Sequence, residues 1–264
     1  CPDYFLIVQD LVAAMKAKGV MVGPGRGSVA GSAVCYCLGI TNVEPIENCL
    51  LFERFLNPDQ ITLPSIDLDF ENHKEAMAYL KEKYGADHVC QVISFATLGR
   101  SSAIKAVSRI NHQSIKYGNK LAELASGHPD NYKDLLDNST GCEKEILLYA
   151  KGLEKRIHYV SVHACAVVIG REPISDYVPL TRVGVTESGE DLIVSQYDGK
   201  YVDECGLLRM NLLGLHPLAV INDCQKMIRE RYGEGINVDA IPLDDAATYK
   251  LYERGDTVGV FLFE

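Results

Sequence analysis

Apolar residues recur along the chain with two periods, one typical of helices and one typical of strands. Spacings of three and four residues predict helices over 4–18, 29–38, 74–84 and 218–231. Short apolar or alternating runs predict strands over 20–22, 61–70, 89–95, 164–169, 192–196 and 206–213. Between 100 and 157 the periodicity is helical and strand signals are few. The pattern therefore predicts a mixed α/β fold interrupted by a helical insert.

Composition is ordinary for a globular protein, with 264 residues, of which 47% are hydrophobic and 23% charged. No apolar run approaches the roughly 20 residues of a membrane span, and no secretory leader is present, so we expect a cytoplasmic protein without a membrane partner. The net charge of −10 argues against a coat protein for nucleic acid, but it permits an enzyme with one basic face. The chain lacks an initiator methionine and ends in a strand-like run, so we expect a fragment.

Nine cysteines are scattered along the chain, and none forms a Cys-x-x-Cys pair. We interpret them as reduced, mostly buried thiols rather than as disulfides or a structural zinc site.

A glycine-rich segment, Gly23-Pro-Gly-Arg-Gly-Ser28, follows the first short strand and precedes a predicted helix. Glycines let a backbone approach a ligand closely, and a helix N-terminus offers free N–H groups to phosphate. Neither the Walker A nor the dinucleotide-binding spacing is met. The segment is therefore a candidate phosphate loop, and a tight turn into a packed helix is the alternative. The candidate phosphate ligands in it are Gly25, Arg26, Gly27 and Ser28.

Ser65, Asp67 and Asp69 share one face of the strand predicted over 61–70, because residues two apart on a strand point the same way. Adjacent carboxylates repel one another unless a cation lies between them, and Mg²⁺ prefers oxygen ligands. Asp67 and Asp69 are therefore candidate metal ligands, with a solvated strand face as the alternative. A phosphate loop followed by an acidic strand is the layout that two-metal nucleotidyl transfer requires.

Five basic residues and no acidic ones occupy 100–120, namely Arg100, Lys105, Arg109, Lys116 and Lys120. If this range forms one helix of about 3.6 residues per turn, the last four lie in a narrow arc. Such a stripe suits contact with the phosphate backbone of a nucleic acid, and a solvated helix face is the alternative.

Blocks along essentially the whole chain resemble the alpha subunit of bacterial DNA polymerase III, the C-family replicases. They are 4–8 (YFLIV), 23–28 (GPGRGS), 36–41 (YCLGIT), 50–58 (LLFERFLNP), 163–164 (HA), 176–180 (DYVPL), 206–210 (GLLRM) and 241–245 (IPLDD). The resemblance implies a palm like that of the polymerase-beta nucleotidyltransferases with an inserted helical thumb. The implied domains are palm at 1–98, thumb at 99–166, palm again at 167–216 and the start of the fingers at 217–264.

The same resemblance places the three catalytic aspartates of the family at Ser65, Asp67 and Asn211, so only one of the three is an aspartate here. Arg209 falls where the family has a basic residue near the triphosphate. The resemblance implies two Mg²⁺ ions, a dNTP and primer–template DNA, with the sliding clamp and other replisome subunits as partners of the full-length protein. Because two negative charges are missing, we expect weakened Mg²⁺ binding and little or no catalysis.

Three functions follow from these observations. The first is template-directed addition of dNTP to a primer 3′ end. The second is a catalytically silent nucleic-acid-binding relative on the same fold. A nucleotidyltransferase acting on small molecules is the third, but it leaves the helical insert and the blocks outside the site unexplained.

Overall fold

The computed structural model of the protein describes residues 2–57, 59, 66–126, 129–185, 189 and 191–261, with the backbone alone described for 129–131. The chain divides into two compact units. The first comprises 1–92, 164–181 and 193–264, and the second comprises 93–163 and 182–192. Ser65 lies outside the described residues, as does the rest of 61–65.

The strands of the described residues form one mixed sheet in the order β1-β6-β3-β2-β5-β4. Their bounds are β1 Asp67–Phe70, β2 Val89–Thr97, β3 Ile157–Ile169, β4 Leu180–Val185, β5 Asp191–Ser195 and β6 Leu208–Gly214. β1 pairs with β6 in parallel, β2 pairs with β5 in parallel, and β3 pairs with β6 antiparallel. The mixed α/β class predicted from the sequence is therefore confirmed.

Helices account for most of the remaining structure, and none among the described residues is long and apolar enough to cross a membrane. They are α1 Pro2–Ala17, α2 Ala33–Cys37, α3 His73–Tyr84, α4 Arg100–Ile110, α5 Ile115–Leu124, α6 Pro129–Asn138, α7 Gly141–Leu153, α8 Gly199–Glu204, α9 His216–Tyr232 and α10 Ala246–Glu253. Short 3₁₀ turns occur at Gly27–Gly31, Phe52–Arg54, Ile174–Asp176 and Val238–Ala240.

The core of the first unit is built from the apolar face of β1, which leaves the polar residues of this strand on its other face. One stripe of α1 is buried in the same apolar cluster as the core-facing side chains of β1 and β6, which are Leu68, Phe70, Met210 and Leu212. The Tyr4 hydroxyl of this stripe accepts a hydrogen bond from the backbone N–H of Ile66 at 3.2 Å, and burial raises the pKa of Tyr4 to about 12. Since strand side chains alternate, the opposite face of β1 and β6 carries the polar residues.

The second unit has its own core, built from the facing sides of α4, α5, α6 and α7. Its fully buried members include Ala103, Ile104, Ile146 and Leu147. Gly118 of α5 lies so close to α4 that an added Cβ would stand 3.1 Å from the Cβ of Ser108. This glycine therefore sets the close approach of the two helices.

Several predicted elements differ from the structure in their extent. The helix predicted over 29–38 is instead the 3₁₀ turn Gly27–Gly31 followed by α2, because Ser32 adopts an extended conformation and its side chain caps α2 by accepting from the Cys35 N–H. The strand predicted over 20–22 is reduced to one bridge, Val22 with Phe70. β3 begins at Ile157, seven residues before the predicted strand. β4, α8 and α10 were not predicted.

The prediction that the cysteines are mostly buried is wrong for the eight that the structure describes. Only Cys35 and Cys90 are buried, while Cys37, Cys49, Cys142 and Cys224 are exposed. Cys35 and Cys37 share one apolar run of the sequence, yet only Cys35 is buried, and Cys142 and Cys224 lie on the outer faces of amphipathic helices. Burial raises the pKa of Cys90 to about 11, so that thiol stays protonated at neutral pH.

Candidate functional site

Asp67 and Asn211 lie side by side on neighbouring parallel strands. The β1–β6 register pairs these two residues directly, although 144 positions separate them in the sequence. The Nδ2 group of Asn211 donates a hydrogen bond to Oδ1 of Asp67 at 2.6 Å, and both residues are half-buried. Two of the three positions implied by the resemblance are therefore in contact, and the carboxylate is already partnered by an amide.

Asp69 is engaged by Arg26 of the glycine-rich segment. The Arg26 Nε lies 3.0 Å from each carboxylate oxygen of Asp69, whose side chain is only 11% exposed. From the sequence, Asp69 is a candidate metal ligand and Arg26 a candidate phosphate ligand. The structure joins them as an ion pair, so a ligand of either residue would compete with the other.

The glycine-rich segment is held against β1 by its backbone. The N–H of Gly23 donates to the carbonyl of Asp69 at 2.8 Å, and an added Cβ at Gly23 would stand 2.8 Å from the Cβ of Asp69. Gly27 has a φ of 64°, in the left-handed region. The segment leads into a five-residue 3₁₀ turn rather than a long α-helix. The segment therefore does not lead directly into the predicted helix, whose first N–H groups were expected to bind phosphate, and Arg26 lies on the loop itself.

We expect the Gly23→Ala variant to unfold more readily, by about 1–3 kcal/mol, because the new methyl group overlaps Asp69 and pushes the loop away from β1. Urea denaturation followed by circular dichroism measures this loss. Gly184→Ala is the matched control, since that glycine has no atom within 4 Å of a built Cβ and its φ is not positive. Equal stability of the two variants would contradict the close approach at Gly23.

Arg209 shares the polar face of β6 with Asn211, two residues away. Its guanidinium group forms a two-point contact with the Asp203 carboxylate, with both N–O distances at 2.8 Å. This hydrogen-bonded contact raises the pKa of Arg209 above its ordinary value. The predicted phosphate ligand thus has an acidic partner that sequence reasoning missed, because Asp203 lies on α8, which was not predicted.

Glu71, directly after β1, was also missed. Its Oε2 accepts from the backbone N–H of Met21 at 3.0 Å and from Nδ2 of Asn222 on α9 at 2.6 Å. An acidic residue one position past the end of the predicted strand was the available signal. Glu71 thus ties the end of the acidic strand to the first turns of α9.

The described side chains do not fit a two-ion magnesium site. No group of three or more His, Cys, Asp or Glu residues with the geometry to hold a metal ion occurs within the described ranges. Asp67 is hydrogen-bonded to an amide and Asp69 is neutralised by a guanidinium group. A pair of divalent ions needs several carboxylates, and one half-buried Asp67 does not supply them.

The basic residues of 100–120 lie on two helices, which corrects the single helix predicted from the sequence. The chain turns at 111–114, where His112 has a φ of 55°, so Lys105 and Arg109 belong to α4 while Lys116 and Lys120 belong to α5. All four are exposed. Arg100 differs from them, because its Nε lies 3.0 Å from Oε1 of Glu154 and its guanidinium group lies 4.7 Å from the ring centroid of Tyr132.

Comparison with known families identifies the class. A model of the bacterial DNA polymerase III alpha NTPase domain matches residues 1–214, and a model of the bacterial DNA polymerase III alpha subunit finger domain matches residues 217–264. The first match covers most of the chain. The chain therefore belongs to the family of bacterial DNA polymerase III alpha subunits, as the sequence blocks indicated.

Individual relatives agree with this assignment. DNA polymerase III subunit alpha of Thermus aquaticus is 39% identical over 277 residues, a match that covers 100% of this chain and 22% of the relative. The Deinococcus radiodurans protein of the same name is 40% identical over 286 residues, covering 100% and 21%. The Bacillus subtilis protein is 38% identical over 274 residues, covering 99% and 24%. The chain thus spans less than a quarter of the length of these relatives.

Proposed function

We propose that this chain is part of the catalytic core of a replicative DNA polymerase, comprising the palm at 1–98 and 167–216, a helical thumb at 99–166 and the start of the fingers at 217–264. The contact between Asp67 and Asn211 on β1 and β6 is the observation that carries the proposal. It brings together two residues that the resemblance assigns to one catalytic centre. The separate helical core around α4–α7 supports the thumb assignment, and the mixed sheet supports a palm like that of polymerase beta.

The reaction of such a core would be the addition of a dNTP to the primer 3′ end, and bound Mg²⁺ would supply charge neutralisation there. In this chain Ser65 and Asn211 replace two of the three aspartates. The side-chain amide of Asn211 donates a hydrogen bond to one carboxylate oxygen of Asp67. We therefore propose that Mg²⁺ binds weakly and that the chain as written catalyses little.

The triphosphate of a dNTP would meet Arg26 and Arg209, and each arginine now contacts an aspartate. Phosphate oxygens make the same two-point contact with a guanidinium group as a carboxylate does. The phosphates of the incoming nucleotide would therefore displace Asp69 from Arg26 and Asp203 from Arg209. Gly25, Gly27 and Ser28 would line the loop beside the phosphates. This exchange would release Asp69 only when a nucleotide is bound.

Primer–template DNA is the proposed macromolecular partner, contacted by the exposed cations of α4 and α5. These contacts would be independent of sequence and sensitive to salt. The sliding clamp and other replisome subunits are proposed as partners of the full-length protein only. A catalytically silent DNA-binding relative is the second candidate function, and the Asn211–Asp67 hydrogen bond favours it because the site is satisfied without metal.

Calorimetric titration of a dNTP with Mg²⁺ into the chain as written, beside the double variant Ser65→Asp, Asn211→Asp, tests the proposal. We expect metal-dependent nucleotide binding in the double variant and at least tenfold weaker binding in the chain as written, because the variant regains two metal-binding charges.

Equally tight binding by both proteins would show that Asp67 and Asp69 suffice to hold Mg²⁺ with the nucleotide. The proposal that Mg²⁺ binds weakly to the chain as written would then be wrong. Binding by neither protein would overturn the nucleotide site itself. Omitting Mg²⁺ is the control in both titrations.

A further inference from the structure

A pocket of about 150 Å³ lies between α4 and α5, within the second unit. It is lined by two cations, two serines, an asparagine, an isoleucine and a glycine, namely Lys105, Arg109, Ser108, Ser114, Asn119, Ile115 and Gly118. Water in the liquid occupies roughly 30 Å³ per molecule, so the space holds a few waters or one phosphate group. No acidic residue of the described part of the chain lines it, although the chain as a whole carries a net charge of −10.

Lys105 and Arg109 stand one helical turn apart on α4, where like charges repel each other. The Arg109 Nε donates to the Lys105 carbonyl at 3.4 Å, which folds the guanidinium group back toward the lysine. Neither side chain takes part in an ion pair among the described residues, in contrast to Arg26, Arg100 and Arg209. An anion between the two cations would relieve their repulsion.

The opposite wall of the pocket is the beginning of α5. Ser114 caps this ten-residue helix by accepting from the Tyr117 N–H at 3.2 Å, and Ile115 is its first residue. Backbone N–H groups of a first helical turn carry a partial positive charge that favours phosphate. At the buried end, Ser108 packs against Gly118, and the Ser108 hydroxyl has no hydrogen-bond partner in the described part of the chain. Cations, a helix start and a spare hydroxyl therefore surround one small space.

We infer that this pocket seats a single phosphate group of a nucleic-acid backbone, held jointly by Lys105 and Arg109. The inference rests on the proposed function, because it takes the DNA that the exposed cations of α4 and α5 would contact and assigns one of its phosphates to a defined seat. Lys116 and Lys120 do not line the pocket, and their role in the proposal is to contact neighbouring backbone phosphates without a defined seat.

Joint binding of one phosphate predicts a non-additive salt effect. Each phosphate neutralised contributes about 0.9 to the slope of log K against log salt concentration. If Lys105 and Arg109 share one phosphate, each single variant (Lys105→Ala or Arg109→Ala) leaves one cation to neutralise it and lowers the slope by well under about 1, whereas the double variant lowers it by about 1. If each cation met its own phosphate, the double variant would lower it by about 2.

Fluorescence anisotropy measures the slopes when a labelled primer–template duplex is titrated with the full 264-residue chain. The titrations run between roughly 50 and 200 mM salt, the range over which such affinities change. Lys144→Ala, Lys151→Ala is the matched control, because it removes two exposed lysines from α7 of the same unit. Asn119→Glu places a carboxylate at the pocket, and Asn138→Glu makes the same change on α6. We expect at least a tenfold loss of affinity for Asn119→Glu and less than a twofold loss for Asn138→Glu.

Three results would count against the inference, and they are distinguishable. If the duplex binds and the pocket variants have the same affinity and salt slope as their controls, the phosphate seat is wrong. The proposed DNA contact would not be contradicted by that result. No duplex binding by the unmodified chain would overturn the DNA partner itself. If inorganic phosphate shifts the amide NMR signals of Ile115 and Lys116 while the pocket variants leave duplex affinity unchanged, the pocket holds free phosphate and the nucleic-acid source is wrong.

Discussion

The Asn211→Asp variant is expected to lose stability without Mg²⁺ and to regain it when Mg²⁺ is added. The substitution replaces the amide that donates to Asp67 at 2.6 Å with a second carboxylate, so a hydrogen bond becomes a like-charge contact. Because both residues are half-buried, we expect a loss of about 2 kcal/mol in the free energy of unfolding, or about 5 °C in Tm. A divalent ion between the carboxylates removes the repulsion.

Thermal denaturation at increasing Mg²⁺ concentration measures both effects. An ion that binds only the folded state at about 100 times its Kd adds about 2.7 kcal/mol, which recovers the whole loss. The chain as written offers Asp67 with an amide beside it, so its Tm should change by less than about 1 °C over the same range.

The swapped variant, Asp67→Asn with Asn211→Asp, is the matched control. It keeps one carboxylate and one amide across the same pair of strands, so the hydrogen bond is restored in the opposite direction. Its Tm should match that of the chain as written and should not respond to Mg²⁺. If the single variant also fails to respond, then the two positions do not form a cation site, and the catalytic assignment of Asn211 is wrong.

The polar face of β1 could be predicted from the sequence because its cause is local. Leu68 and Phe70 are buried and alternate with Asp67 and Asp69, so the period of two alone fixes which residues share a face. The contact with Asn211 is different in kind. It depends on a parallel pairing between strands 144 positions apart, which no local pattern encodes, and only the resemblance to a family placed the two residues at one centre.

The partners of the two arginines could not be predicted, for two separate reasons. Arg26 reaches Asp69, 43 positions away in the sequence, because the backbone of Gly23 docks on β1, and this docking is a tertiary contact. Arg209 meets Asp203 because the short helix α8 turns the chain back before β6, and its six residues show too little periodicity to detect. Charged residues in a motif therefore indicated a candidate site but not which of its charges are already compensated by neighbouring side chains.

The break between α4 and α5 had a local signal that the charge pattern obscured. Ser114 precedes an apolar residue and is a preferred N-cap, and in the structure its side chain does cap α5. Reading 100–120 as one helix placed four cations in one stripe. The structure divides them between two helices and leaves a pocket between Lys105, Arg109 and the start of α5. The error in secondary structure thus concealed this pocket.

Phe70→Ala is expected to give the largest loss of stability of the substitutions considered, about 3–5 kcal/mol. Phe70 is fully buried at the end of β1, in the cluster formed with α1 and β6, and truncation leaves a cavity that the surrounding side chains fill only partly. Chemical denaturation measures the change. For a chain of this size, it corresponds to a fall in Tm of roughly 10 °C.

Phe95→Ala is the matched control, because Phe95 lies on β2 with 37% of its surface exposed and its truncation leaves no closed cavity. It should cost less than half as much as Phe70→Ala. The comparison also bears on the site, since Phe70 follows directly after Asp69 and its burial keeps the two aspartates on the outward face. If Phe70→Ala cost less than about 1 kcal/mol, β1 would not be anchored by its apolar face, and the fixed geometry assumed for Asp67 and Asn211 would lose its physical basis.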